Sequence, residues 1–188
     1  EQAMKAGVAS ENGIEVRDVP QPRPKPTEVL VKVRAASLNR ADLTTARGLP
    51  HGSHGGVGAP VGIDWAGEVV EAGADVQGGF KPGDRVMCSG TGGYAEYAVS
   101  DWGRVNAMPV GMSFEQAATL PVALITLHNA LITAGRLRPG ESVMIQGASS
   151  GVGLMGLQIA KLMGAKLVIG TSTNDARRAQ LTAWAAVP

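Results

Sequence analysis

The most constraining feature of the sequence is the stretch VMIQGASSGVGLMGLQ, residues 143–158. A run of apolar and β-favouring residues ends at Gly147, four small residues follow, and a helical pattern then begins. A strand, a tight turn of small residues and a helix start form the geometry of a dinucleotide site. The first amides of a helix have no partner within it, and together with the helix dipole they attract anions. We therefore predict that this loop binds a pyrophosphate.

The loop departs from the usual fingerprint, because it reads A-x-S-x-x-G from Ala148 to Gly153 instead of G-x-G-x-x-G. The alternative is a glycine-rich turn that binds nothing, but the position between a strand and a helix favours a binding site. The hydroxyls of Ser149 and Ser150 are expected to donate to the pyrophosphate or to cap the helix. One side of the helix is predicted to face the sheet, and it comprises Val152, Met155, Gly156, Ile159, Leu162 and Met163.

The strand after this helix indicates which nicotinamide cofactor to expect. An NAD site usually has an acidic residue about 20 residues after the loop. Here Thr171 and Ser172 follow the strand, and the first acid is Asp175. Small hydroxyl residues followed by Arg177 and Arg178 suit a 2′-phosphate, because a guanidinium offers forked, charged donors. We predict NADP as the cofactor; the alternative is that both arginines lie on a solvated helix face.

The chain divides by pattern into a β-rich part and an α/β part. Short strands come first, and EVLVKVRA alternates with the period of two of a half-buried strand. Near Ser113, which forms a capping box with Gln116, helices begin, and one is predicted to end at Gly135. Strand, helix and strand then follow, which indicates a parallel sheet. We predict a β-rich domain over 1–120 and an α/β domain over 121–188. Other strands are predicted in WAGEVVEAGADV, DRVMCSG, GGYAEYAVS, SVMIQ and AKLVIG.

Composition excludes several classes of function. With 44% apolar and 18% charged residues the chain is globular, and a formal charge of +1 gives no general attraction to nucleic acid or acidic membranes. A content of 4% aromatic residues argues against a stacking platform for single-stranded RNA. No apolar run approaches the length of a membrane span of about 18 residues. The single cysteine excludes an intrachain disulfide, which fits the cytoplasm.

Several motifs occur in an order that resembles a known family: SLNRADL, GIDWAGEVVEAG, FKPGDRV, GGYAEYAV, AATLPVALITLHNAL and GASSGVGLMGLQIAKLMGAKLVIGT. Together they resemble the zinc-independent medium-chain dehydrogenase/reductases, in particular the quinone oxidoreductase branch with its zeta-crystallin-like members. The resemblance implies a GroES-like catalytic domain followed by an incomplete Rossmann domain, a doubly wound parallel sheet, with the active cleft between them. It further implies NADPH-dependent reduction of quinones or related enones by a homodimer.

The resemblance also assigns residues to the site. It places Asn39 and Asp42 in the cleft near the nicotinamide with Arg47 nearby, and it gives Thr126 a contact with the nicotinamide amide. The alternatives are that Asn39 only caps a helix and that Thr126 only packs a helix. The remaining cofactor contacts are Ala148, Ser149, Ser150, Gly151, Val152 and Gly153 on the pyrophosphate, and Thr171, Ser172 and Arg177 at the adenosine phosphate.

Metal binding is not expected. Zinc-containing relatives have a cysteine at the position of Asn39 and a His-Glu pair at the position of Ile63 and Asp64. A structural zinc would need four clustered cysteines, and Cys88 is the only one. We predict that Cys88 is a packed core thiol and that the HGSH segment, 51–54, is a solvated loop without a third ligand.

Two departures from the family pattern affect the functional prediction. Many quinone-reducing relatives have a tyrosine beside the substrate at the position of Thr44, so its absence changes the expected substrate preference. The chain also ends early, which leads us to expect a fragment, a truncated product or a chain that hides its sheet in a partner, with KLVIG half exposed and weak cofactor affinity. No general acid is assigned. The alternatives are an enoyl or alkenal reductase and a truncated, non-enzymatic binding or structural protein.

Overall fold

The computed structural model describes residues 2–50 and 55–184, and it contains two compact units. The first unit ends at Pro121 and the second begins at Val122. We propose that these units correspond to the domains predicted at 1–120 and 121–188. The strands are β1 (Ala3–Ser10), β2 (Gly13–Pro20), β3 (Glu28–Ala36), β4 (Asp64–Ala72), β5 (Arg85–Ser89), β6 (Tyr97–Asp101), β7 (Val105–Ala107), β8 (Ser142–Ile145) and β9 (Leu167–Gly170). The α-helices are α1 (Arg40–Ala46), α2 (Phe114–Ala118), α3 (Pro121–His128), α4 (Gly151–Leu162) and α5 (Asp175–Gln180).

The first unit consists of antiparallel sheet. β1 and β2 form a hairpin, and five further strands form a sheet in the order β6-β3-β4-β5-β7. The period of two predicted for β3 holds from Val31 onward, where Lys32 and Arg34 are exposed, but not before it, since Leu30 is buried like Val29 and Val31. The core of this sheet contains Val29, Val31, Trp65, Val69, Val86, Cys88, Ala98 and Val105.

The second unit is built on the parallel pair β8 and β9, joined by α4. Val168 and Gly170 of β9 are buried, whereas Leu167 and Ile169 are half buried. The core lies where α4 and the preceding helical segment meet the sheet, and it contains Leu127, Leu131, Ile145, Ala148, Leu157, Ile159, Ala160, Val168 and Leu181.

The buried side of α4 agrees with the predicted one at Gly156 and Ile159 and differs from it at the C-terminal end. Leu162 and Met163, predicted to face the sheet, are 85% and 38% exposed. The buried residues are Gly153, Gly156, Leu157, Ile159 and Ala160. Glycine and alanine recur along this side at helical spacing, and a Cβ on Gly156 would lie 2.7 Å from Leu127 Cδ1. The small residues therefore mark the contact side, because they allow the helix to approach its neighbours closely.

The helix predicted to end at Gly135 changes its hydrogen bonding before it ends. α3 stops at His128, a π-helical segment spans Asn129–Ala134, and Gly135 follows as C-cap. The amide of Leu137 donates to Leu131 O over 2.9 Å, and Arg136 adopts the left-handed backbone conformation with φ 53°. The capping box predicted at Ser113 is confirmed at the start of α2.

Candidate functional site

The loop before α4 is organised by hydrogen bonds within itself. Gly147 turns the chain with φ 64°, and Ser150 is the N-cap of α4. The Ser150 hydroxyl donates to Gly147 O over 2.8 Å and accepts the Gly153 amide over 3.0 Å. Its hydroxyl therefore closes the loop, so the capping alternative holds for this serine.

The first turn of α4 begins at an exposed glycine. Gly151 is exposed and Val152 is half buried, and amides at these first helical positions have no acceptor within the helix. A Cβ added to Gly151 would meet no other part of the described structure within 4 Å, so the space in front of this residue is open. The backbone N–H groups of such a turn can donate hydrogen bonds to an anionic oxygen.

Two residues predicted to hold the pyrophosphate lie inside the loop. Ala148 is fully buried, and its amide donates to Thr171 O over 2.8 Å. Gly153 is buried too, and a Cβ there would lie 2.6 Å from Ala148 Cα. Both residues are therefore buried parts of the loop, and the exposed residue at the start of the helix is Gly151.

The end of β9 contacts this loop directly. Thr171 donates its amide to Ile145 O over 3.0 Å and accepts the Gly147 amide at its hydroxyl over 3.4 Å. The hydroxyls of Ser149 and Ser172 lie 2.8 Å apart. The structure thus brings together two predicted groups of cofactor residues that are more than 20 positions apart in sequence.

The two arginines of α5 have different surroundings. Arg178 forms an ion pair of 2.7 Å with Asp175, whereas Arg177 is exposed and forms no ion pair within residues 2–50 and 55–184. Asn174 caps the helix by accepting the Arg177 amide over 3.0 Å. Of the two guanidinium groups, that of Arg177 is therefore the one available to a phosphate.

A second polar cluster lies in the first unit at the start of α1. Asn39 is the N-cap, and its backbone amide donates to Asp42 Oδ2 over 2.7 Å. Its side-chain Nδ2 lies 3.3 Å from Ser37 Oγ and 3.4 Å from Asp64 Oδ2. Asp42 and Asp64 are both buried, while Asn39 is half buried. The two carboxylates therefore hold Asn39 from two sides.

Tyr94 also belongs to this cluster, although no sequence pattern identified it. Its hydroxyl lies 2.8 Å from Asp42 Oδ2 and 3.0 Å from Ser37 O. Burial, followed by the hydrogen bond to Asp42, raises the pKa of Tyr94 well above its usual range, so the hydroxyl stays a donor. The ring lies against Gly62, where a Cβ would lie 2.6 Å from Tyr94 Cδ1.

Comparisons with known proteins agree with this geometry. Residues 25–110 match the alcohol dehydrogenase GroES-like domain. Human quinone oxidoreductase is 37% identical over 163 residues, which cover 86% of this chain and 49% of that protein. The chain belongs to the medium-chain dehydrogenase/reductase family. The prediction of a GroES-like domain followed by an incomplete Rossmann domain is confirmed.

Solved structures of medium-chain dehydrogenase/reductases match almost the whole chain. The Escherichia coli quinone oxidoreductase complexed with NADPH has a TM-score of 0.80 and 25% identity, covering 98% of this chain and 57% of that one. The CurK enoyl reductase has a TM-score of 0.84 and 26% identity, covering 100% of this chain and 59% of that one. The chain spans about half the length of the curated quinone oxidoreductases that it matches.

The other predicted site residues of this medium-chain dehydrogenase/reductase lie at more exposed positions. Thr44 is half buried on α1, and its carbonyl accepts the amide of Arg47, whose side chain is exposed at the C-cap. Thr126 lies in the second unit, exposed on α3.

Cys88 is fully buried, and burial followed by the charge of Asp64 raises the pKa of its thiol well above the usual range, as expected for a core thiol. Within residues 2–50 and 55–184 no three histidine, cysteine or acidic side chains form a group that could hold a metal ion. The HGSH segment, 51–54, lies outside the described residues. None of the described helices is long and apolar enough to cross a membrane.

Proposed function

We propose that this chain belongs to an enzyme that transfers a hydride from NADPH to a quinone or a related conjugated carbonyl. The observation that carries the proposal is the open first turn of α4, where Gly151 is exposed with open space at its Cβ position and Ser150 closes the preceding loop. The quinone oxidoreductases that match the chain support the choice of substrate.

The residues of the second unit fit a dinucleotide. The amides of Gly151 and Val152 would bind the pyrophosphate, and the lack of a side chain at Gly151 leaves room for it. Thr171, Ser172 and the unpaired guanidinium of Arg177 would surround a 2′-phosphate, which favours NADP over NAD. NADPH, when bound, supplies the hydride.

The residues of the first unit would orient the substrate. Asn39 is half buried and fixed through Asp42 and Asp64, so it can present a rigid polar group to a carbonyl oxygen. Asp42 is 4% exposed, which assigns it to holding Asn39 and not to contacting substrate. Thr126 would contact the nicotinamide amide and Arg47 would lie near it. We assign the proton of the product to water, because none of these side chains is a convincing acid.

Titration of this chain with NADPH tests the proposal. We expect a rise in melting temperature and a change in nicotinamide fluorescence with NADPH, and a weaker response with NADH. Oxidation of NADPH should then follow addition of a quinone. A folded chain that responds to neither cofactor would remove the assignment to an NADPH enzyme.

An enoyl or alkenal reductase is the second candidate. It is favoured by Thr44, which stands where many quinone-reducing relatives have a tyrosine, and by the similarity to the CurK enoyl reductase. Comparison of quinones, alkenals and enoyl thioesters as acceptors separates the two activities. If NADPH binds and none of these acceptors is reduced, the third candidate, a non-enzymatic binding protein, is favoured.

We further infer a zinc-independent homodimer of the cytoplasm. Asn39 offers an amide where zinc-containing relatives have a thiolate ligand, and the family resemblance suggests the dimer. Elemental analysis of the purified protein should find no stoichiometric zinc. Light scattering after size exclusion should give twice the mass of 19.3 kDa, and cell fractionation should place the protein in the cytoplasm.

A further inference from the structure

We propose that Tyr94 is a positioning residue that sets the orientation of Asn39 at the candidate site. The proposal rests on the proposed function for its catalytic consequence, whereas its structural part stands on the hydrogen bonds of the first unit. Tyr94 lies in the segment before β6 and is 55 residues away from Asn39 in sequence, by their numbers.

Both acceptors of the Tyr94 hydroxyl are residues that also bind Asn39. Asp42 Oδ2 lies 2.8 Å from the hydroxyl and accepts the Asn39 amide. Ser37 O lies 3.0 Å from the hydroxyl, and the Ser37 side chain accepts from Asn39 Nδ2. The single phenolic proton is thus shared between two groups, one on the backbone side of Asn39 and one on its side-chain side.

The Tyr94 ring is held so that its hydroxyl has little freedom to move. The Tyr94 amide donates to Val61 O over 2.8 Å, and the Tyr94 carbonyl accepts the Gly7 amide over 2.7 Å. The ring lies against Gly62, where any side chain would overlap it. The phenol is therefore a rigid spacer between the glycine-containing segments and the start of α1.

The charge of Asp42 makes this contact strong. Asp42 is buried, so its carboxylate depends on donors from the protein, and Oδ2 has two of them in Tyr94 and Asn39. Its other oxygen, Oδ1, is buried without a hydrogen-bond partner among the described residues. Loss of the phenolic donor would leave Oδ2 with the Asn39 amide alone, and the carboxylate would turn to seek another donor. Because the backbone amide of Asn39 donates to this carboxylate, the Asn39 side chain would move as well.

The experiment compares Tyr94→Phe with Tyr97→Phe, which makes the same chemical change at a tyrosine whose side chain forms no hydrogen bond within residues 2–50 and 55–184. In ¹⁵N-labelled protein, Tyr94→Phe should shift the Asn39 side-chain amide signals and speed hydrogen exchange of the Asn39 backbone amide by about tenfold or more. Tyr97→Phe should leave both unchanged. Unchanged Asn39 signals in a folded Tyr94→Phe protein would overturn the proposal.

Turnover gives the catalytic part of the test. We expect Tyr94→Phe to lower kcat for quinone reduction by roughly tenfold while the KM for NADPH changes less than about twofold, because orientation is lost and cofactor binding is not. A rise of similar size in the KM for NADPH would indicate a general structural defect and contradict positioning. If the unchanged chain shows no turnover, the proposed function fails, and the Asn39 signals still decide whether Tyr94 positions this residue.

A second variant covers the case in which Tyr94→Phe does not fold. Asp42→Asn keeps the shape of the side chain and removes the charge that strengthens both hydrogen bonds. It should shift the same Asn39 signals. Because Asp42 also accepts directly from Asn39, the Tyr94 ring signals are followed as well, and a folded Asp42→Asn protein with unchanged Tyr94 ring signals would refute the link from Tyr94 through Asp42.

Discussion

Replacing Gly151 by alanine should separate the stability of α4 from its binding of a pyrophosphate. An added Cβ would meet no described atoms within 4 Å beyond its chain neighbours and its own helix, and the backbone of Gly151 lies outside the left-handed region. Alanine is favoured over glycine in a helix by up to about 1 kcal/mol, and at this first position we expect about 0.5 kcal/mol of added stability. The same methyl group would occupy the space in front of the first-turn amides, so NADPH should bind roughly tenfold more weakly.

Gly153→Ala, two residues away, should have the opposite effect on stability. Its Cβ would lie 2.5 Å from Gly147 O and 2.6 Å from Ala148 Cα, both of which are backbone atoms that cannot rotate aside. Restoring an ordinary carbon contact of about 3.5 Å would require α4 or the loop to move by about 1 Å. Overpacking of this kind costs about 1–3 kcal/mol, so this variant should lose stability and cofactor binding together.

Urea denaturation and NADPH titration of the two variants check this reasoning. The expected pattern is one variant that is more stable and binds less, and another that is less stable and binds less. Unchanged NADPH affinity in Gly151→Ala would show that the pyrophosphate does not lie at this turn. Unchanged stability in Gly153→Ala would show that α4 does not pack closely against the loop.

Three further predictions concern charge, backbone and the buried thiol. Arg177→Ala should weaken NADPH binding by about tenfold and leave NADH binding unchanged, whereas Arg178→Ala, whose guanidinium already pairs with Asp175, should have a smaller effect in the same titration. Arg136→Gly should raise the free energy of unfolding by about 0.5–1 kcal/mol in urea, because glycine adopts the left-handed conformation found there without a steric cost. Burial raises the pKa of the Cys88 thiol, so the unfolded chain releases this proton at a lower pH than the folded one. The free energy of unfolding should therefore fall as the pH rises past the ordinary thiol pKa of 9.0. Cys88→Ala should reduce this fall in denaturation curves measured between pH 8 and pH 10. A thiol reagent that labels Cys88 of the native protein as fast as that of the unfolded one would contradict its burial.

The elements that could be predicted are those whose cause is local. The loop before α4 depends on a serine that bonds to residues three positions away on either side, and this spacing is visible in the sequence. The capping box of Ser113 and Gln116 is equally local. The period of two in β3 reflects one buried sheet face, so Val29 and Val31 could be placed in the core.

The features that were missed depend on contacts between distant segments or on residues that act by being small. The sequence places Gly156 and Ile159 correctly on the inner side of α4, but it also places the exposed Leu162 and Met163 there and misses Gly153. The helix ends at Gly135 as predicted, but neither its π-helical last segment, Asn129–Ala134, nor the left-handed backbone of Arg136 could be predicted. Neither the apolar periodicity nor the usual termination signals contain this information.

Tyr94 shows why the two candidate clusters differ in how far sequence reasoning reaches. The dinucleotide loop needs only backbone donors and small side chains, and one strand–loop–helix segment provides them all. The cluster around Asn39 needs a half-buried amide held by buried carboxylates, and its partners come from α1, β4 and the segment before β6. Each of these partners bears an ordinary structural explanation when taken alone, such as a cap, a strand residue or a packed ring. Their contacts arise only when the antiparallel sheet brings them together, so this cluster could not be assembled from the sequence, whereas the strand–loop–helix geometry of the second unit could be.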